Sequence, residues 1–143
     1  MIPAGLNPLA VLLAAIASLG FGALWYMLLA RPWLDAVGWS DGERARFVEQ
    51  GRKPSWSFFL LGSASLLVMA WVLANLIAFI APGKIPFGTA IFIAFYVWLG
   101  FVATTIPPLY IFSMRKPALT LIDCGFVLCA LLIQGAIIGL FGR

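Results

Sequence analysis

The residue best placed to do chemistry is Asp123. It is the one acidic side chain that falls inside a long apolar run of this 143-residue chain, and an ionisable group in such a run is a functional candidate by default. It sits about five residues, or ~8 Å of helical rise, inside one end of its run. Gln134 follows eleven residues later, a rotation of about 1100°, so the two lie within ~20° of each other around a helix axis. Val127 and Ala130 fall between them on the same face. Lipid cannot satisfy such a stripe, which must therefore turn towards other helices.

Two kinds of chemistry are open to Asp123. Its carboxyl could carry a proton or a cation, or hold a polar ligand. Alternatively it could pair with Arg31 or Arg115, or bond to Thr104 and Thr105, and so lock helices together. Ser63 and Ser65 belong to its half of the membrane, whereas Asn75 shares the other half with Gln134. A bond between Asn75 and Gln134 would act as interhelical glue worth about 0.6–2 kcal/mol. The chain has no histidine, which removes imidazole ligands and histidine acid–base catalysis. Its two cysteines, Cys124 and Cys129, point about 140° apart on a helix and cannot bridge each other; they read as small packing residues. There are no paired carboxylates and no nucleophile–base pair. The sequence therefore predicts no metal site, no cofactor and no enzymatic activity, and leaves a bound lipid, quinone or pigment open.

The elements that must position these residues are transmembrane helices. Hydrophobic residues make up 64% of the chain and charged residues 10%, against roughly 25% charged in a soluble domain. The apolar residues form four runs, about Pro8–Ala30, Ser55–Ala81, Gly88–Phe112 and Ala118–Gly142. Each exceeds the ~20 helical residues that cross a bilayer core. No Lys or Arg precedes the first run and it is longer than a signal-peptide core, so it is expected to be retained. The expected fold is all-α: residues 1–143 form one integral membrane four-helix bundle. Pro82–Pro86 and Ser113–Pro117 are turns, and Pro117 suits the first turn of the fourth helix.

The polar segment 31–54 holds Arg31, Arg44, Arg46, Arg52 and Lys53 against Asp35, Asp41, Glu43 and Glu49. Ser40-Asp41-Gly42-Glu43 fits a capping box. It predicts a short interfacial helix over about Asp41–Gln50 that stops at Gly51, supported by Glu43–Arg46 and Arg46–Glu49 pairs. Trp33, Trp39 and Trp56 should lie at headgroup level. Loops 31–54 and 113–117 carry seven Lys/Arg, whereas Lys84 and Arg143 lie on the other side. The positive-inside rule puts those two loops in the cytoplasm and both termini outside. The net charge of +4 thus serves orientation, and no nucleic-acid partner is expected.

Small residues mark contact faces. Ala14, Ser18 and Gly22 recur every four residues on the first helix, and Gly135 and Gly139 form a GxxxG on the fourth; both patterns let backbones approach closely. They could serve this bundle or another protein. Pro107-Pro108 should bend the third helix, because neither has an N–H to give. Trp71 and Trp98 fall near mid-membrane, where packing is the expected role and stacking on a flat ligand the alternative.

Gly22-Ala23-Leu24-Trp25-Tyr26 with Pro32-Trp33, Trp98–Thr105, and Leu121-Ile122-Asp123-Cys124-Gly125 running on to Gly135–Gly139 resemble an uncharacterised bacterial membrane family, domain of unknown function family 1761. Relatives often have Ser-Pro after Trp-Tyr and Tyr-His after Asp-x-Gly, where this chain has Met27-Leu28 and Phe126-Val127. The resemblance implies four helices in a bacterial cytoplasmic membrane and brings no assigned activity. The expected role is a non-catalytic accessory or scaffold subunit that packs against other membrane subunits or itself. The alternative is a small-solute or proton-coupled transporter, acting as a homo-oligomer with Asp123 in a polar path.

Overall fold

The computed structural model describes residues 6–51 and 56–142. Arg52, Lys53 and Arg143, which enter the charge count, and Ser55 at the start of the second run lie outside the described residues. Four helical stretches are long and apolar enough to cross a membrane: Pro8–Leu28, Trp56–Ile80, Phe87–Phe112 and Pro117–Phe141. They agree with the four predicted runs to within a few residues, and no strand occurs among the described residues.

The first span is α1 (Pro8–Leu28). Asn7 caps it by accepting from the Leu9 N–H at 3.0 Å, and Pro8 fills a first-turn position where a missing N–H costs nothing. The Asn7 N–H donates to Gly142 O at 3.0 Å and Asn7 Nδ2 donates to Phe141 O at 3.1 Å. The start of α1 is thereby tied to the end of the fourth span, whose last carbonyls need donors.

The long connection differs from expectation in holding two short helices, α2 (Ala30–Val37) and α3 (Asp41–Glu49). Helix α2 was hidden by its mixed composition. Trp33, Ala36 and Val37 recur at i, i+3 and i+4, and they place one face on Leu119 while Arg31 and Asp35 face out. Gly38 ends it in the left-handed region at φ 72°, which glycine adopts without penalty. The predicted capping box opens α3: Glu43 N–H reaches Ser40 Oγ at 3.4 Å and Ser40 N–H reaches Glu43 Oε2 at 2.8 Å. The Ser40 backbone bond, with the Ser40 hydroxyl beside it, holds the Glu43 carboxyl below the usual carboxylate range. An exposed Arg44–Asp35 ion pair links α3 to α2. Two cations of the third connection seal α2: Arg115 Nη1 donates to Val37 O at 2.6 Å and Lys116 Nζ to Asp35 O at 2.9 Å, a favourable place for positive charge.

The second span, α4 (Trp56–Ile80), buries Leu66, Ala70, Leu73, Ala74, Ile77 and Ala78, a helical stripe. The third is interrupted. It comprises α5 (Phe87–Val97), a π-helical segment (Trp98–Val102), a turn over 103–105 and α6 (Ile106–Phe112). Pro107 and Pro108 fall in the first turn of α6, so the break precedes them and their missing N–H groups fall where a restarting helix has no use for them. The fourth span, α7 (Pro117–Phe141), is the hub, touching α1, α2, α4, α5 and α6. The Gly135/Gly139 face packs on Ala90 and Ala94 of α5, and Gly22 of α1 lies under the Phe126 ring of α7. The small-residue faces of α1 and α7 are thus consumed inside the bundle: Ala14, Ser18, Gly22 and Gly135 are buried and Gly139 is half-buried.

Candidate functional site

Asp123 lies where α1, α6 and α7 converge. The Tyr26 hydroxyl at the end of α1 donates to Asp123 Oδ1 at 2.8 Å. The Tyr110 hydroxyl of α6 donates to Asp123 Oδ2 at 2.8 Å. Each carboxyl oxygen has its own phenol, and the three residues are half-buried. Two indoles extend the arrangement: Trp25 Nε1 donates to Ile122 O at 3.2 Å and Trp98 Nε1 to Cys124 O at 2.9 Å. The backbone carbonyls on either side of Asp123 are therefore claimed from α1 and from the π-segment.

A cover lies over this clamp. Trp33 of α2 meets the Tyr26 ring edge-on at 6.2 Å and meets Trp39 at 5.6 Å. Tyr110 packs against the cluster of Ala36, Val37 and Leu119, and Phe126 lies 5.2 Å from Tyr26. The arrangement can fix the relative depth and rotation of three spans, because moving any one breaks a bond to a carboxyl with no other described partner.

The residues singled out from sequence are not brought together as expected. Arg115 serves α2, and Arg31 lies exposed on α2; neither is among the hydrogen-bond partners of Asp123. Thr104 Oγ1 donates back to Gly100 O at 2.7 Å, and Thr104 and Thr105 face outward. Asn75 Nδ2 donates to Trp71 O on its own helix at 2.8 Å and does not meet Gln134. Sequence reasoning missed Tyr26 and Tyr110 as partners. The available signal was depth: both tyrosines lie within a turn of a span's end, at the level to which Asp123 belongs.

Gln134 forms a second polar node, fully buried. Its Nε2 donates to Ser18 Oγ at 2.9 Å and to Leu66 O at 3.1 Å, joining α7, α1 and α4. Its Oε1 has no described partner. A buried unpaired acceptor costs about 1–3 kcal/mol, which offsets interhelical bonds worth about 0.6–2 kcal/mol. Gln134→Leu is therefore expected to leave the unfolding midpoint in detergent unchanged or raised. A loss above about 2 kcal/mol would mean that the amide is fully satisfied in the membrane. A groove of about 490 Å³ between α1 and α4 is lined by Leu6, Pro8, Val11, Leu12, Leu67, Val68 and Trp71, and Asp123 is not among its walls. No group of three or more metal-ligating side chains occurs among the described residues.

Fold and site together define a small polytopic α-helical membrane protein whose inward polar side chains tie its spans to one another. The chain belongs to a family described as a protein of unknown function (DUF1761), whose family model matches residues 9–139. That match runs through the long connection and the second span as well as the two ends. No curated protein and no solved structure matches the chain.

Proposed function

We propose that this protein is a non-catalytic membrane component, an accessory or scaffold subunit that works by packing against other membrane helices. One observation carries the reading. Asp123 and Gln134 are engaged between helices, whereas the third span exposes Leu99, Gly100, Phe101, Thr104 and Thr105 of its irregular segment. Only 17% of the apolar window of that span is buried, against 28–33% for the other three. Irregular backbone at membrane depth is tolerated where protein or a water-filled cavity covers it, and not where lipid does. A covering protein is therefore the natural occupant of this face.

The protein is placed in a bacterial inner membrane as part of this proposal, and the charge pattern supports the orientation, with the connections at 31–54 and 113–117 in the cytoplasm and both termini outside. Photo-crosslinking in native membranes tests the packing role. A photoreactive residue replacing Phe101 or Leu109, which are 73% and 62% exposed, is expected to give ultraviolet-dependent adducts with protein. Adducts with lipid alone at both positions would remove the proposal.

A further inference from the structure

Among the polar groups that the third span's own chain leaves unpaired, two are neighbours on exposed residues. The first is the Thr104 carbonyl. Its regular helical donors would be three and four residues on, at Pro107 and Pro108, which have no N–H. The N–H five residues on belongs to Leu109 and donates to Thr105 O at 3.2 Å. No described side chain reaches the Thr104 carbonyl either. The second is the Thr105 hydroxyl, which makes no cap bond at the start of α6 and has no other described hydrogen bond. Both residues are exposed. They lie five and six residues before Tyr110, which places them roughly 7–9 Å deeper in the span than the clamp.

Neither group is stable against hydrocarbon. One is an acceptor, the other carries a donor, and they are adjacent at one depth. Such a patch is complementary to itself. A two-fold axis along the membrane normal brings every residue opposite the same depth on a second copy. Each Thr105 hydroxyl then finds the Thr104 carbonyl of the other copy. An unrelated helix would have to present a donor and an acceptor at this depth by its own sequence, whereas a second copy does so by symmetry. Gly100 allows the approach: it is exposed, and a Cβ built there would meet nothing within 4 Å. Phe101 and Leu109, both exposed, supply apolar contact on either side of the polar centre.

Resting on the reading that this face packs against protein, we infer that the exposed surface formed by Gly100, Phe101, Thr104 and Thr105 is the interface of a symmetric homodimer, in which Thr105 hydroxyls and Thr104 carbonyls bond reciprocally.

The test uses the full chain in phosphatidylcholine vesicles, with self-association read by energy transfer between labelled copies as the protein is diluted in lipid. The wild type is expected to dimerise. Thr105→Val, which keeps shape and loses the donor, is expected to weaken the dimer about tenfold or more, since two symmetry-related bonds are lost. Thr105→Ser keeps the donor and is expected to associate like the wild type. Phe79→Leu, at an exposed position on α4, is expected to have no effect. A wild type that stays monomeric at high protein density, or a dimer indifferent to Thr105→Val, would overturn the inference. The crosslink at Phe101 separates the two levels: an adduct of twice the chain mass supports the homodimer. An adduct with a different protein overturns the homodimer and leaves the packing role standing, and lipid adducts alone at both Phe101 and Leu109 remove both.

Discussion

Replacing Gly135 and Gly139 together by isoleucine is expected to abolish the folded bundle. A Cβ at Gly135 would stand 2.9 Å from Ala94 Cβ and 3.0 Å from the Ala90 carbonyl oxygen. One at Gly139 would stand 2.9 Å from Ala90 Cβ and 3.4 Å from Phe87 Cα. Two of these four obstacles are backbone atoms and the other two are alanine methyls, which have no rotamer to change. Inserting bulk into such a contact costs about 1–3 kcal/mol even for small additions. Gly135→Ala should lie in that range, and two β-branched side chains should exceed the few kcal/mol that hold a small bundle together. Helical content after mild-detergent extraction and the midpoint of unfolding in a denaturing detergent are the measurements. A double variant that extracts folded with a wild-type midpoint would show that α5 and α7 do not approach along this face. The same pair is therefore unsuitable as a probe of external docking.

The second large effect is at Asp123. Asp123→Leu leaves the Tyr26 and Tyr110 hydroxyls without their acceptor beneath α2. Hydrogen bonds to a carboxylate are worth about 1.5–3 kcal/mol each, so the loss should be about 3–6 kcal/mol. Asp123→Asn keeps one carbonyl oxygen for one phenol, and its amide can donate to the other phenol's oxygen. It should therefore retain most of the clamp. The expected order of unfolding midpoints is wild type, then Asn, then Leu. Tyr26→Phe and Tyr110→Phe should each cost about 1.5–3 kcal/mol, and each should cost almost nothing in the Asp123→Leu background, because the acceptor is already gone. A Leu variant as stable as the wild type would sink the structural account of Asp123. Equal damage from Asn and Leu would show that the charge, and not the hydrogen-bond geometry, sets its role.

The polar nodes show where reading along the chain stops. Asp123 and Gln134 were legible as an inward stripe because both belong to one helix, and 3.6 residues per turn relates them. Their partners belong to other helices. Asn75 and Gln134 share a half of the membrane, yet the Asn75 amide bonds Trp71 of its own helix while Gln134 meets Ser18 and Leu66. Arg115 has the right charge for Asp123 and the right end of the bundle, yet it is drawn to the carbonyl end of α2. That helix was itself concealed, since eight residues with one strongly apolar corner give too short a pattern to separate from a loop. Pro107-Pro108 made an irregularity in the third span legible, although the break precedes them and they open α6. The π-helical segment before it was not, because five-residue windings leave no periodicity in composition.

By itself the sequence determined four membrane spans, a capped helix in the long connection and a set of faces too small or too polar for lipid. These follow from local rules: bilayer thickness dictates run length, and capping and helical spacing act within one turn or one helix. Only the tertiary structure decided which faces meet. It turned Gly135 and Gly139 inward onto Ala90 and Ala94, turned Gly100 and Thr105 outward, and gave Asp123 to two tyrosines. The reason is geometric. A contact between helices depends on their relative depth and rotation, and those are set by the packing of the whole bundle, which no spacing within a single helix encodes.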